Sequence, residues 1–255
     1  MSDYSLTRKE VNGQRFYEVL EVTSDKVVGL FPSITTILSG TSDKSSLDEW
    51  RARIGEAEAH RITTLSMNRG TIMHRLIELY KLIPGTPDAK LERLKEIALE
   101  DGEVNQFASN ELGAHWLEEG WLMFMKFWHN QPKFFSRINK VLESETFLWS
   151  LKGGGYAGTV DNVSELIDGK VMIIDYKNSR KPKREDWIQD YFIQGSAYWV
   201  AYWERSGIKP DGVEIWIASE TSNTPQIFSL TNNDVKYYFK QFTERLKLFK
   251  DKYNI

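Results

Sequence analysis

Two aspartates and a lysine carry the strongest chemical signal in the chain. Gly158-Thr159-Val160-Asp161 is followed, after thirteen residues, by Asp175-Tyr176-Lys177. The run Val171-Met172-Ile173-Ile174 before Asp175 reads as a core strand, where a buried charge costs several kcal/mol unless it is paired or holds a metal. Strand period two puts Asp175 and Lys177 on one face. Asp161 joins them only if the intervening hairpin has the right loop parity. A two-residue Asp168-Gly169 loop sets Asp161 opposite Tyr176 and scatters the group. A three-residue loop, Ile167-Asp168-Gly169, with Gly169 left-handed, pairs Leu166 with Lys170 and sets Asp161 opposite Asp175. The three-residue loop is the expectation. Two hard oxygen ligands then suit Mg²⁺ or Mn²⁺, which orient a water and offset charge developing on a phosphodiester. Lys177 stabilises that charge or helps deprotonate the water. An Asp-x-Lys triplet alone fits a buried ion pair equally well.

Other residues bear on the choice. Gln194 and Tyr198 are four apart on one helical face, able to reach a phosphate, a base or the lysine. His74 lies one turn before Glu78. The run Lys177, Arg180, Lys181, Lys183, Arg184 is a local basic patch beyond the metal strand, and Arg51, Arg53 and Arg69 extend it; beside a phosphodiester site such a run binds the strand backbone.

Taken in order, these pieces resemble the RecB-like branch of the PD-(D/E)XK nuclease superfamily: a G-x-x-D strand ending at Asp161, the D-x-K strand, and a helix with Q-x-x-x-Y at Gln194 and Tyr198. Arg69-Gly70-Thr71-Ile72-Met73-His74 is similar to the branch's first-helix motif, and Glu145 resembles the acidic residue of its first core strand, with Glu143 a close rival. PSITTILSGT and Trp50-Arg51 bring the likeness nearest to phage-type single-strand exonucleases and the mitochondrial genome maintenance exonuclease. Val160 stands where the superfamily's eponymous proline would be, a replacement common in the branch. The resemblance implies a metal-dependent deoxyribonuclease, an exonuclease on single-stranded DNA ends. Asp161, Asp175 and Lys177 would be catalytic, His74, Asp161, Asp175 and Glu145 would hold Mg²⁺ or Mn²⁺, and Gln194, Tyr198, Arg69, Arg51, Arg180, Lys181 and Lys183 would contact DNA. The rival readings are an endonuclease, a nuclease of RNA or duplex DNA, and a non-catalytic nucleic-acid binder.

The elements that must position these residues are legible in outline. A hairpin is expected over residues 14–30, a helix over 47–64 opened by a Ser46–Glu49 capping box, and another from Gly70 to Leu82. Two more helices are expected over 88–130, the second carrying Trp116, Trp121, Phe124, Phe127 and Trp128 toward the core. Phe134 and Phe135 either wedge between bases or seal the helices against the sheet. Beyond Pro132 three strands form a meander, followed by a helix (Trp187 to Trp203), two strands, and a helix from Asn233 to Tyr253. The expected fold is α/β: a mixed central sheet flanked by helices, in one domain over 1–255, with a hairpin and helical cap in 1–132 and a catalytic sheet core in 133–255.

Composition narrows the classes. The 255 residues are 41% hydrophobic and 27% charged, enough for a core and for solubility. Absence of cysteine excludes disulfides, Cys-zinc sites and the iron–sulfur cluster found in some relatives of the branch. No apolar run reaches the ~20 residues of a membrane span, and the N-terminus lacks a hydrophobic signal segment, so no membrane partner and a cytoplasmic setting are expected, that of a host cell if the phage likeness holds. With 33 basic against 36 acidic residues, a nucleic-acid partner must be held by local patches.

Overall fold

The computed structural model describes residues 4–108 and 113–255, with the side chains at 107, 108 and 113–116, among them His115 and Trp116, also outside the described residues. Strands β1 (Tyr4–Val11), β2 (Gln14–Glu21) and β3 (Lys26–Pro32) form a separate antiparallel sheet in that order. The expected hairpin is β2–β3; β1 is additional, with Tyr4, Leu6 and Val11 half-buried and the charged run Arg8-Lys9-Glu10 between them exposed, which interrupts its apolar alternation. Helix α1 (Ile34–Thr41) follows, capped by Ser33, whose Oγ accepts from the Thr36 N–H at 3.0 Å.

The helix expected over 47–64 is two helices. Gly55, at φ +87°, separates α2 (Ser45–Ile54) from α3 (Glu56–Leu82), and α3 runs on unbroken through the segment read as a second helix. The Ser46–Glu49 capping box is not formed: Lys44 is the N-cap, and Asp43 accepts from the Ser45 N–H at 2.9 Å instead. After α4 (Pro87–Glu100), α5 (Gly102–Ala108) and α6 (Gly113–His129) come β4 (Ile138–Ser150), β5 (Tyr156–Leu166) and β6 (Val171–Ser179), which are the meander. Helix α7 (Gln189–Ser206), strands β7 (Gly212–Ser219) and β8 (Gln226–Thr231) and helix α8 (Asn232–Tyr253) complete the chain. Where two helices are expected over 88–130, the described residues form three, with the short α5 standing before the aromatic helix α6.

The five-stranded sheet has the order β4-β5-β6-β7-β8; only β6 and β7 are parallel. Helices cover both faces. On one, α1, α7 and α8 bury Ile34, Phe192, Tyr202 and Phe242 against Val160, Ile173 and Ile215. On the other, α3, α4 and α6 bury Leu76, Leu94, Phe124 and Phe127 against Ile174, Tyr176 and Trp216. The segment expected as a cap is therefore one layer of a three-layer sandwich, its α1 crossing to the other face. Phe134 and Phe135 seal that layer; Phe134 packs edge-on to Trp216 at 5.0 Å. The small sheet packs on β4 and β5 through Phe31 stacked on Trp149.

The hairpin register decides where the aspartates go. Glu165 pairs with Val171 and Asn162 with Ile174. The Leu166 N–H donates to the Lys170 carbonyl at 2.8 Å, the Gly169 N–H to the Leu166 carbonyl at 2.9 Å, and Gly169 has φ +82°. This is the three-residue loop, and its register sets Asp161 across from Asp175.

Candidate active site

Paired residues between β5 and β6 stop at Asn162 and Ile174, one step short of the aspartates. Alternation along β5 also breaks there, because Val160 and Val163 both point into the α7-side core. The Asp161 carboxylate lies in the gap between the strands and accepts the Tyr176 N–H at 2.8 Å, standing in for a ladder bond. Across β5 on the other side, the pairs Ser144–Asn162 and Thr146–Val160 flank Glu145, whose φ of +47° is a left-handed conformation that non-glycine residues seldom adopt. Both neighbouring strands are therefore distorted at one level of the sheet.

Helix α3 brings the third donor. His74 Nε2 lies 2.8 Å from the Tyr176 carbonyl, which can only accept, so the neutral ring carries its proton on Nε2 and turns the lone pair of Nδ1 outward. Nδ1 lies 3.6 Å from Asp161 Oδ2 and 3.9 Å from Glu145 Oε1. His74, Glu145 and Asp161 can each offer one ligand atom with all three within 4.8 Å of one another, and they are the only such group among the described residues. Burial disfavours the imidazolium, yet Asp161 and Glu145 outweigh it and raise the His74 pKa. One nitrogen and two carboxylates suit a hard or borderline divalent ion.

Asp175 stands beside this group without being one of the three. It is 1% exposed; Lys177 Nζ lies 2.5 Å from Oδ2, and the Gln194 amide donates to Oδ1 at 3.2 Å. Burial pushes its pKa up to about 6, with Lys177 pulling the other way. Burial works against the Lys177 ammonium too, but Asp175 and Asp161 raise its pKa overall. Of the two acidic residues on β4, Glu145 joins the donor group while Glu143 accepts from the Thr146 hydroxyl at 2.8 Å.

These side chains sit in the sequence pattern that names a nuclease superfamily, and a model of the PD-(D/E)XK nuclease superfamily matches residues 49–251. The chain belongs to that superfamily. The mixed five-stranded sheet with helices on both sides is the fold this family predicts. Nucleases of this superfamily use divalent metal ions, in keeping with the donor group found here. Among solved structures, a protein described as "Putative exonuclease" from Eubacterium rectale aligns at TM-score 0.46 and 14% identity, over 71% of this chain and 66% of its own. The protein SSO0001 aligns at TM-score 0.29 and 17% identity, over 41% of this chain and 50% of its own. The chain spans just under two thirds and one half of these two structures. No curated protein matches it.

The residues expected to touch DNA divide into two sets. Arg180 and Lys181 are exposed, Lys183 and Arg51 half-buried, and the groove beside His74 is lined by Trp50, Met67, Lys177, Lys183 and Tyr191. Arg69, Gln194 and Tyr198 are instead buried. Arg69 is 2% exposed; its Nε donates to Asn178 at 2.8 Å and its guanidinium pairs with Glu220 and Glu119. Gln194 is spent on Asp175, and Tyr198, 3% exposed, packs in the core. An i, i+4 spacing gives a shared face but not which side of the helix meets the sheet.

Two participants carried no signal in the sequence. Asn178, next to Lys177, receives Arg69 and lies so close to Gly70 that a Cβ there would stand 2.5 Å from its Nδ2. The Arg69-Gly70 dipeptide is thus the dock between α3 and β6 that sets His74 over Asp161. Lys81, about two turns beyond the motif, donates to Asn162 Oδ1 at 3.1 Å and lies 3.5 Å from the Asp161 carbonyl. Burial pulls its pKa down to about 8, with Glu145 and Asp161 offsetting part of the shift. A lone lysine in a helix is indistinguishable from a solvated one until the fold buries it.

Proposed function

We propose that this chain is a Mg²⁺- or Mn²⁺-dependent deoxyribonuclease that degrades single-stranded DNA from its ends. The observation that carries the metal-dependent part is the convergence of His74, Glu145 and Asp161 from three elements within 4.8 Å, beside the Asp175–Lys177 pair at 2.5 Å. His74, Glu145 and Asp161 would hold the ion, with Asp175 the adjacent carboxylate. When bound, a divalent ion acidifies a coordinated water and offsets charge on the phosphodiester. The chain supplies the rest. His74 is oriented by the Tyr176 carbonyl, Asp161 by the Tyr176 N–H, and Asp175 by Gln194. Lys177 places an ammonium at the reacting group, where it stabilises the developing oxyanion or relays a proton from water. Arg180, Lys181 and Lys183 supply phosphate contacts next to the site. Preference for ends and for DNA rests on the likeness of the Arg69–His74 segment, PSITTILSGT and Trp50-Arg51 to single-strand exonucleases.

The test is digestion of 5′- and 3′-labelled linear single strands, circles, duplexes and RNA with Mg²⁺, Mn²⁺ or EDTA. Metal-dependent shortening of linear single-stranded DNA is expected. Activity in EDTA would remove the metal centre, nicking of circles would replace the exonuclease with an endonuclease, and preference for RNA or duplex would change the substrate.

A further inference from the structure

Lys81 faces two ways. Its ammonium reaches the carbonyl of Asp161 on one side, and on the other it lines a recess of about 330 Å³ between the end of α3, the start of α4 and the start of β4. Tyr80, Lys90, Gln131, Ser136 and Asn139 line the same recess. Lys90 Nζ rests over the Tyr80 ring, 4.3 Å from its centroid, and is half-buried. Among the described residues neither lysine forms a salt bridge, whereas Lys177 and Arg75 near the same donor group are each held by a carboxylate. Two ammonium groups without a carboxylate partner, a hydroxyl and two side-chain amides around one recess are complementary to an oxyanion.

We propose that this recess binds a phosphate group of the nucleic-acid substrate or of the nucleotide released from it, between Lys81 and Lys90. Its strand-side wall is the start of β4, through Ile138, Asn139 and Val141, and Lys81 links it to the donor group, since the same ammonium lies 3.5 Å from the Asp161 carbonyl. The opening on the other side of His74 is lined by Arg75, Glu78, Glu103 and Glu145, with Arg75 already held by Glu78 and Asp101. That opening repels phosphate, whereas the Lys81–Lys90 recess offers it cations on the side of Asp161 away from the Lys177–Lys183 groove.

The choice of probe rests on the nuclease reading; the measurement does not, because it is made in EDTA without turnover. Binding of a labelled single-stranded oligonucleotide is followed by anisotropy, with competition by a deoxynucleoside monophosphate and by inorganic phosphate. Lys90→Met is expected to weaken the oligonucleotide or the monophosphate by roughly tenfold, the loss of one charge-assisted contact, and Lys90→Arg to restore most of it. If the strand is the source, the salt slope of oligonucleotide binding also flattens by about 0.7; if the product is the source, only monophosphate competition weakens. Wild-type binding of both ligands by Lys90→Met and Lys90→Glu, with an unchanged melting temperature, overturns the proposal. A loss confined to inorganic phosphate overturns it as well. Failure of the wild type to cleave any substrate is a separate result that strikes the nuclease reading alone.

Discussion

At the residue scale, the division of labour among the carboxylates can be separated by substitution. Asp175→Asn keeps the volume and the Gln194 contact but removes the partner of Lys177, and it is expected to abolish cleavage while single-stranded DNA binding, supplied by the basic loop, stays near wild type; full activity in this variant would dismiss the site. Lys177→Ala is expected to slow cleavage by roughly 10²-fold or more at saturating metal. On β4, Glu145→Gln should raise the Mn²⁺ concentration needed for half-maximal activity, as should His74→Ala, whereas Glu143→Gln should leave it unchanged because its carboxylate is bonded to Thr146. A metal titration of the three variants reads this directly, and a shift in Glu143→Gln equal to that in Glu145→Gln would show that both reach the ion. Strand periodicity could not separate Glu143 from Glu145, since residues two apart share a face. What separates them is the left-handed turn of the backbone at Glu145, a distortion that no local propensity announces.

At the element scale, loop parity and helix docking were legible to different degrees. The Ile167-Asp168-Gly169 loop could be chosen from the sequence because only one parity unites Asp161 with Asp175, so the chemistry constrained the geometry. A Cβ at Gly169 would meet nothing within 4 Å, so any cost of substitution there is conformational. Gly169→Val is expected to destabilise by ~1 kcal/mol or more, lowering Tm by roughly 2–4 °C per kcal/mol for a chain this size, while Gly169→Asn, which tolerates positive φ, should cost much less. Equal melting temperatures for the two variants would mean the loop can change conformation freely. Gly70 is the opposite case: its backbone is ordinary helix, and its constraint is the neighbouring Asn178 Nδ2. Nothing local marks it, because the partner is 108 residues away. Gly70→Ala should therefore push α3 off β6 and reduce kcat more than it reduces stability, and Asn178→Ala in the same chain should recover part of the loss, an interaction measurable in a double-mutant cycle. Additive effects would place the two residues out of contact.

At the scale of the whole molecule, the helices of the first half are what the sequence described least well. Their amphipathic periods were visible, but periodicity gives a face and not its destination; α1 went to one side of the sheet, and α3, α4 and α6 to the other. The break at Gly55 is masked in the sequence because the apolar spacing of Leu47, Trp50 and Ile54 continues smoothly toward it. That break has a consequence for substrate access. Helix α2 has no buried residue, yet Leu47 and Trp50 line the groove facing Lys177, Lys183 and Tyr191, so α2 with the start of α3 forms one wall over the site and the basic loop forms the other. A strand running between these walls reaches His74 along a path bounded on both sides, and the proposed preference for ends requires that these walls admit the strand lengthwise. Linear single strands are accordingly expected to be degraded to short products while circular single strands of the same sequence persist, and one endonucleolytic cut in the circle by another enzyme should make it a substrate. Removing bulk from the wall with Leu47→Ala and Trp50→Ala together should relax this discrimination before it affects metal dependence. Circles cleaved by the wild type as fast as linear strands would show that the groove admits its substrate from the side, and the walls would then have no part in selecting ends.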